Sequence, residues 1–542
     1  MPSPRQRLAS FARKLRQGAQ DRDPRRSEAA ELTALLRTLT SQRQHAEAVA
    51  VAREALAAHP DDLALVKQVR VSATKAGEIT LLHDGTVAQL KRWPTDDLAA
   101  REREQRGRLR ETDPQWSPTI TDAPAPVTDP VPGRIVHLLK ISMPHRQSGY
   151  SVRTMYTLTG QLEAGLDPVG VTALDFPRSI GAEDAPVEEV VGGVRHRRIY
   201  RDEIPQKEAP DAYLDAFASE FAQVVAQERP ELIHVHSGHR GFETARVALA
   251  VGKALGVPVV YEVRGFFEAL WTSDYRWAEE AETYRRRYEI ERYCMTEADA
   301  VVTLSESMRQ DIVARGVAPE QVFVVPNGVN TEGFSPRERR ADLVESLGLA
   351  DRFVFGYVSN LDHWREGHEL LIEAAQILSE RGIPATALIV GDGSRREELE
   401  ALTDERNARD VVVFTGRVPH DEVLDYYALY DAFVVPRVDE RAARLVTPLK
   451  PFEAMAAQIP VVVSSLPALT EITGEGAWGA SFEAGSAAAL ADVLEELQRS
   501  PERRAELAAA GREWVLAERQ WSSNAARYDA VYDAVRAGRA QA

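Results

Sequence analysis

The stretch Thr447-Pro448-Leu449-Lys450-Pro451 leads into a helix that begins near Phe452 and Glu453, and the apolar run IPVVVSS follows it. Prolines at 448 and 451 suit the first turn of a helix, where a missing N–H leaves no bond unmade. The free N–H groups of that turn, with Lys450 beside them, can hold a diphosphate. Glu453, one turn in, can accept hydrogen bonds from ribose hydroxyls. A first-turn glutamate also complements the helix dipole, and here the two readings stand level. Further upstream, the run RIVHLLKIS ends in ISMPHRQSGYSV, where Gly149 marks the turn into a helix whose N-terminus can face an anion. His145, His236 and His239 occupy loops or strand ends, the places for a base, although such histidines are more often structural hydrogen-bonders. Asn327-Gly328 is a tight-turn dipeptide at the close of VFVVPNG.

These residues need a scaffold, and the pattern of apolar runs supplies one. RIVHLLKIS, ELIHVHS, VPVVYEVRG, DAVVTLS and VFVVPNG read as buried parallel strands separated by helices. After Pro336 the pattern restarts with FVFGYVSN, ATALIVGDG, DVVVFTG, DAFVVPR and IPVVVSS. Two such series predict two doubly wound α/β domains facing each other, at 133–337 and 338–513. Ligands in such sheets bind beyond the carboxyl ends of the strands, so chemistry belongs in the loops named above. Residues 1–115 differ: they are rich in Ala, Leu, Arg, Glu and Gln, and AEAVAVAREALAAHP has helical spacing. A small helical domain is expected there, weakly similar to a tetratricopeptide unit but without a copy at the period of about 34 residues. It offers a surface for a protein partner or for self-association. Residues 116–132 are rich in proline and read as a linker.

The chain has 542 residues, several times the roughly 150 of one domain. It is 44% hydrophobic and 27% charged, and 66 Lys plus Arg against 83 Asp plus Glu give a net charge of −17. That acidity argues against a nucleic-acid binder. A single cysteine, Cys294, excludes a disulfide framework and a multi-cysteine metal site. With no apolar run of about 18 residues and no secretory signal, the expected compartment is the cytoplasm. RQRLASFARKLRQ, residues 5–17, sets Leu8, Phe11 and Leu15 on one helical face among basic residues. This is the pattern of a helix at an anionic membrane surface, or of a plain terminal helix, and the second is favoured.

Taken in order, VFVVPNGVNTEGFSP, GYVSNLDHWREGHELLIEAA, ALIVGDG, VVFTGRVPHDEVLDYYALYDAFVVP and TPLKPFEAMAAQIPVVVSS resemble the retaining glycosyltransferases of family 4, which have the GT-B fold. The resemblance covers residues 133–535. It implies a nucleotide-sugar donor held by the second domain, an acceptor held by the first, and a final helix, within 514–542, crossing back to the first domain. It implies that Glu453 holds the donor ribose, that Thr447, Pro448, Leu449 and Lys450 face the diphosphate, and that Gly416, Arg417 and Val418 meet the nucleobase. Gly149 would approach the donor phosphates, and His145, Tyr150, His236 and His239 are acceptor-side candidates. UDP is the nucleotide expected from many relatives, with GDP the alternative.

The chain departs from the family pattern at three places. The position eight residues before Glu453, often a glutamate, is Leu445, and Asp439, Glu440 or Arg444 are the possible substitutes. Arg264 stands where many members carry a histidine. Ser359-Asn360 replaces the usual Gly-Arg, and the following lysine becomes Arg365 or Glu366. YEVRGFFE and TPLKPFEAMA resemble members encoded with exopolysaccharide and other surface-glycan systems. The implied reaction moves a hexose-type sugar to a glycan, lipid-linked or small-molecule hydroxyl by front-face attack. Charge building on the β-phosphate calls for cations or N–H dipoles, and Lys450, Arg365, Arg264 and the helix start supply them, so no metal or other cofactor is expected. The alternatives are a sugar-nucleotide epimerase of the same fold, or a donor-binding scaffold in a glycan-assembly complex with little turnover.

Overall fold

The computed structural model describes residues 24–204, 209–419 and 421–541. The basic N-terminal segment 5–17 lies outside the described residues. Five helices come first: Pro24–Ser41, His45–Ala58, Leu63–Ala76, Ile79–Arg92 and Asp96–Glu111. Local chemistry sets their ends. Asp62 accepts from the Leu65 N–H at 2.9 Å to start the third helix, and Gly77, at φ +69°, ends it in the left-handed conformation. Leu36, Ala52, Ala55, Leu65, Val69 and Ala73 form a small core between them.

Two sheets follow. The first contains β1 (Arg134–Leu139), β2 (Asp167–Thr172), β3 (Glu188–Val191), β4 (Val194–Arg197), β5 (Leu232–His236), β6 (Val259–Glu262), β7 (Ala300–Thr303) and β8 (Val322–Val324), in the order β3-β4-β2-β1-β5-β6-β7-β8. Every pairing in it is parallel except the β3–β4 hairpin. The second contains β9 (Phe353–Val358), β10 (Ala385–Val390), β11 (Val412–Gly416), β12 (Ala432–Val435), β13 (Val461–Ser464) and β14 (Ala480–Phe482), ordered β11-β10-β9-β12-β13-β14 and wholly parallel. That is the doubly wound order with its switch point between β9 and β12. The central strands of both sheets are completely buried, as continuous apolar runs require.

The proline-rich segment is no free tether. The Thr119 N–H donates to Asp215 Oδ1 at 2.6 Å, Val127 to the Leu255 carbonyl at 2.9 Å and Val131 to the Arg229 carbonyl at 2.8 Å. It is laced along the back of the first domain. The chain's return to that domain begins later than residue 514. The helix Pro501–Glu518 stays with the second domain, and the crossing is the short stretch Arg519–Ser523, where Val329 donates to the Arg519 carbonyl at 2.8 Å. The helix Asn524–Gln541 then sets Tyr528, Val531, Tyr532 and Val535 against Ile135, Leu232, Val260 and Val302. Among the described residues no helix is long and apolar enough to cross a membrane.

Candidate functional site

The loops that leave β9, β10, β11 and β12 meet at the switch point of the second sheet. Their closeness depends on glycine. A Cβ on Gly391, at φ +141°, would lie 1.8 Å from the Ser359 carbonyl oxygen, and Gly391 donates to the Gly416 carbonyl at 3.1 Å. The loops after β9, β10 and β11 therefore share one edge. Asn360 is exposed and accepts from the Asp362 N–H at 2.9 Å, Arg417 is exposed, and Val418 is half-buried against the core.

Of the two residues that could replace the expected lysine, only Arg365 lines the cleft between the domains. Glu366 faces inward, accepting from the Tyr357 hydroxyl at 2.8 Å and from Arg437 Nη2 at 3.2 Å. Burial alone would raise its carboxyl, but Arg437 and Tyr357 outweigh burial and hold it down to about 2. Arg437 also donates to the Val446 carbonyl at 3.1 Å and so fixes the far end of the long loop after β12.

Along that loop Asp439 pairs with Arg444, and Glu440 caps the short helix Arg441–Leu445 by accepting from Ala443 at 2.8 Å. Leu445, at the position where relatives often have glutamate, packs against the first domain's core, and its carbonyl accepts from Ser305 Oγ at 3.0 Å. Thr447 is buried, its carbonyl accepting from Asn327 Nδ2 at 3.0 Å. Pro448 is buried beside it, and the helix Lys450–Ala456 begins. Burial lowers the Lys450 ammonium, with Glu453 opposing. Glu453 already accepts from the Tyr427 hydroxyl at 2.7 Å, which aims its carboxylate.

Across the cleft, Ser148 caps the helix Gly149–Glu163 through a reciprocal pair with Ser151. Gly149 faces Leu449 so closely that a Cβ on it would lie 3.3 Å from Leu449 Cδ1. Two helix starts, one from each domain, thus confront each other.

Arg264 behaves differently from the expectation of a direct phosphate contact. Its guanidinium is buried and engaged by Glu262 at 2.7 Å, the Tyr150 carbonyl at 2.9 Å, Thr154 Oγ1 at 2.7 Å and His236 Nδ1 at 2.6 Å. It positions the start of the Gly149 helix instead. Glu262 also accepts from Arg153 at 2.9 Å and from the Tyr528 hydroxyl at 2.7 Å. Burial would raise this carboxyl, but Arg264 and Arg153 outweigh it and hold it well below the usual range.

His236 is likewise removed from the acceptor side. It is fully buried, and its Nε2 lies 3.0 Å from His137 Nδ1. His137, His234 and His236 bring ligand atoms within 4.8 Å of one another among the described residues. Yet His234 and His236 are stacked with 9° between their planes, so their lone pairs run side by side instead of converging on one ion. Gln161 and Tyr532 occupy other ring nitrogens. Burial drives His137 and His236 well below the ordinary value, so both are neutral hydrogen-bonding pillars under the site.

His145 is tied to Glu189 at 2.9 Å, and His239 is exposed. Tyr150 lies between two cations, Arg264 and Lys140, each 4.5 Å from its ring, and burial pushes its hydroxyl up to about 12. Lys140 was not anticipated. It donates to the Gly238 carbonyl at 3.2 Å, and burial lowers its ammonium to about 8. The cleft itself, about 750 Å³, is walled by Leu270, Trp271 and Glu279 of the first domain and by Trp364, Arg365 and Arg441 of the second.

Two family profiles, glycosyl transferase 4-like domain and glycosyl transferases group 1, match residues 148–328 and 340–514. The chain belongs to the group 1 glycosyltransferases. The matched spans lie within the first and second sheet domains, the first starting after β1, and leave the five N-terminal helices outside both profiles. A GDP-mannose-dependent alpha-(1-6)-phosphatidylinositol monomannoside mannosyltransferase of Mycolicibacterium smegmatis is 32% identical over 235 residues, 43% of this chain and 61% of that relative. The chain therefore spans about three fifths of that relative's length. Sucrose-phosphate synthase from Thermosynechococcus elongatus matches with a TM-score of 0.60 at 22% identity, over 75% of this chain and 100% of that one. Anabaena HepE in complex with UDP matches with a TM-score of 0.58 at 15% identity, over 74% and 99%. These likenesses establish the two-domain GT-B fold for this glycosyltransferase family member.

Arg153, Glu262 and Arg437 carry much of the site's framework and were not singled out in the sequence. One signal was available for Glu262: a carboxylate ending the apolar strand VVYE must find buried cations. Arg153 in a mixed helix and Arg437 after DAFVV carry no such mark.

Proposed function

We propose that this protein transfers a hexose-type sugar from a nucleoside diphosphate to an acceptor hydroxyl, with the donor against the second domain and the acceptor against the first. The observation that carries the reading is the confrontation of Gly149 with Leu449, which sets the two helix starts, Lys450 and Glu453 around one gap. Glu453, oriented by Tyr427, accepts from the donor ribose. Lys450 and Arg365 offset charge developing on the leaving diphosphate, and a water-poor cleft makes each worth more than it would be in bulk water. That division of labour calls for no cofactor beyond the sugar nucleotide. Leu445 packs between the domains, so the contact that relatives make there with the transferred sugar passes to neighbouring groups of the 436–447 loop. We assign retention of configuration by front-face attack, with the departing phosphate taking the acceptor's proton. The nucleobase is uridine or guanosine: the HepE structure contains UDP, and the mycobacterial relative uses GDP-mannose.

A melting series with UDP, GDP and ADP tests the donor site. A nucleotide at about 100 times its dissociation constant adds roughly 2.7 kcal/mol. One nucleotide is expected to raise the melting temperature selectively, and Lys450→Ala to abolish the rise. No rise with any nucleotide refutes the donor site. A selective rise without transfer of sugar from the matching donor to any glycan or lipid-linked acceptor leaves a binding scaffold.

A further inference from the structure

The five-helix region lies outside both family profiles, yet it holds a loop that walls the cleft. The loop after β6 supplies one cleft wall through Leu270, Trp271, Thr272 and Glu279. The same loop is held from behind by the helices. Trp277 Nε1 donates to the Ala76 carbonyl at 2.8 Å, and its ring packs on the helical core, 5.3 Å from His45. The Gly77 carbonyl accepts from Thr283 twice, from its N–H at 3.0 Å and its hydroxyl at 2.7 Å. Glu78 accepts from the Glu282 N–H at 3.0 Å, and the Thr80 N–H donates to Glu282 at 2.9 Å. The indole of Trp271 lies flush on Gly77, where a Cβ would fall 2.4 Å from the ring. Trp271 Nε1 then closes the loop on the Ala278 carbonyl at 2.9 Å.

A loop of this length has no sheet to hold it and would sample many conformations on its own. Here its two tryptophans are fixed by another domain, Trp271 ahead of the short helix Tyr275–Ala278 and Trp277 within it. None of these contacts involves the loops after β9, β11 or β12 that hold the donor-side residues.

We infer that the helical region is a working part of the acceptor site: through Gly77 and Ala76 it sets Trp271 and Trp277, and with them the wall of the cleft against which the acceptor lies. The inference rests on the donor and acceptor assignment proposed above. Gly77, Ala76 and Trp277 are positioning residues, and they act on acceptor recognition and on exclusion of water, not on donor binding.

The test uses the full chain with UDP-glucose or GDP-mannose, whichever parent nucleotide stabilises it, and a panel of methyl hexosides as acceptors. Wild type is compared with Gly77→Ala, Trp277→Ala and Trp277→Phe, and amide exchange is followed over residues 263–281. Gly77→Ala and Trp277→Ala are expected to speed exchange in that loop and to raise the acceptor KM about tenfold or more, with the sugar-nucleotide KM within about twofold of wild type. Trp277→Phe keeps the ring and recovers most of the loss. If no hexoside is glycosylated, hydrolysis of the sugar nucleotide is read instead and rises about threefold or more in the same two variants, because a loosened wall admits water. Unchanged exchange in the loop overturns the inference, as does an unchanged acceptor KM or hydrolysis rate once exchange has risen. Parallel losses in both KM values overturn it too. A wild-type chain that binds no nucleotide, or binds one and neither transfers nor hydrolyses its sugar, refutes the underlying assignment and the inference with it.

Discussion

Glutamine at position 262 would keep the shape of the side chain and remove its charge. Glu262 is fully buried and accepts from Arg153 at 2.9 Å, Arg264 at 2.7 Å and the Tyr528 hydroxyl at 2.7 Å, so its removal leaves two buried guanidiniums without a counter-ion. Breaking one partner of a buried pair costs about 3–5 kcal/mol. For a domain of this size each kcal/mol moves the melting point by about 2–4 °C. Glu262→Gln is therefore expected to lower the transition of the first domain by roughly 6–20 °C in calorimetry and to leave that of the second domain nearly unmoved. Acidity gives an independent check. Because the folded-state carboxyl lies well below its usual range, its contribution is complete above the unfolded value of about 4.3 and is lost as pH falls through the folded one. Wild type should thus lose stability below about pH 4 more steeply than Glu262→Gln. A fall of less than about 2 °C, with parallel acid profiles, would mean that the carboxylate does not balance these cations and that another group does.

Three further expectations concern the cleft. Glu453→Gln preserves an acceptor for Tyr427 but loses the ionised partner of the ribose, so the nucleotide dissociation constant should rise about 10- to 100-fold by calorimetry. Gly391→Ala forces a side chain onto the Ser359 carbonyl at a backbone conformation that costs about 1–3 kcal/mol by itself, and the second domain should melt roughly 5 °C lower or more. Lys140, lowered to about 8 by burial, is a cation below that pH and neutral above it. Activity should decline on an alkaline limb near pH 8, and Lys140→Arg should move that limb upward. A limb that stays in place assigns it to another group.

The central strands of both sheets could be read from the chain because their apolar runs are continuous, as burial on two faces demands. The strand Asp167–Thr172 escaped notice: DPVGVT carries Asp, Pro and Gly, and only its place beside β1 makes it a strand. The hairpin of β3 and β4 escaped too, since EEVV and VRHR alternate around Gly192-Gly193 at an edge where polar residues are tolerated. On the donor side, the residues themselves placed Lys450 and Glu453 at a helix start, and the family resemblance added Gly416. The gap that left Arg365 and Glu366 interchangeable closed only through Arg437, 71 residues away from Glu366 in the chain. Arg264 stood out in the sequence only as a departure from the histidine that similar proteins carry after this strand, and its four internal partners depend on strands and helices far apart in sequence. The proline-rich linker makes a related point: composition reports what a segment could do alone, and hydrogen bonds to Asp215, Leu255 and Arg229 decide what it does here.

Tyr528 and Tyr532 finish the polar floor and the apolar underside of the first sheet, although they belong to the last helix of the chain. On the ribosome, β8 emerges 200 residues ahead of that helix, from Val324 to Asn524. At about 5–20 residues per second the half-made domain waits roughly 10–40 s for its final piece. Throughout that interval Glu262 lacks the Tyr528 hydroxyl and the face of the sheet beside the helix Gly149–Glu163 is only partly covered, so the second domain, made later, closes its own core before the first can close its own. Synthesis runs from one end to the other, but completion runs in the opposite direction.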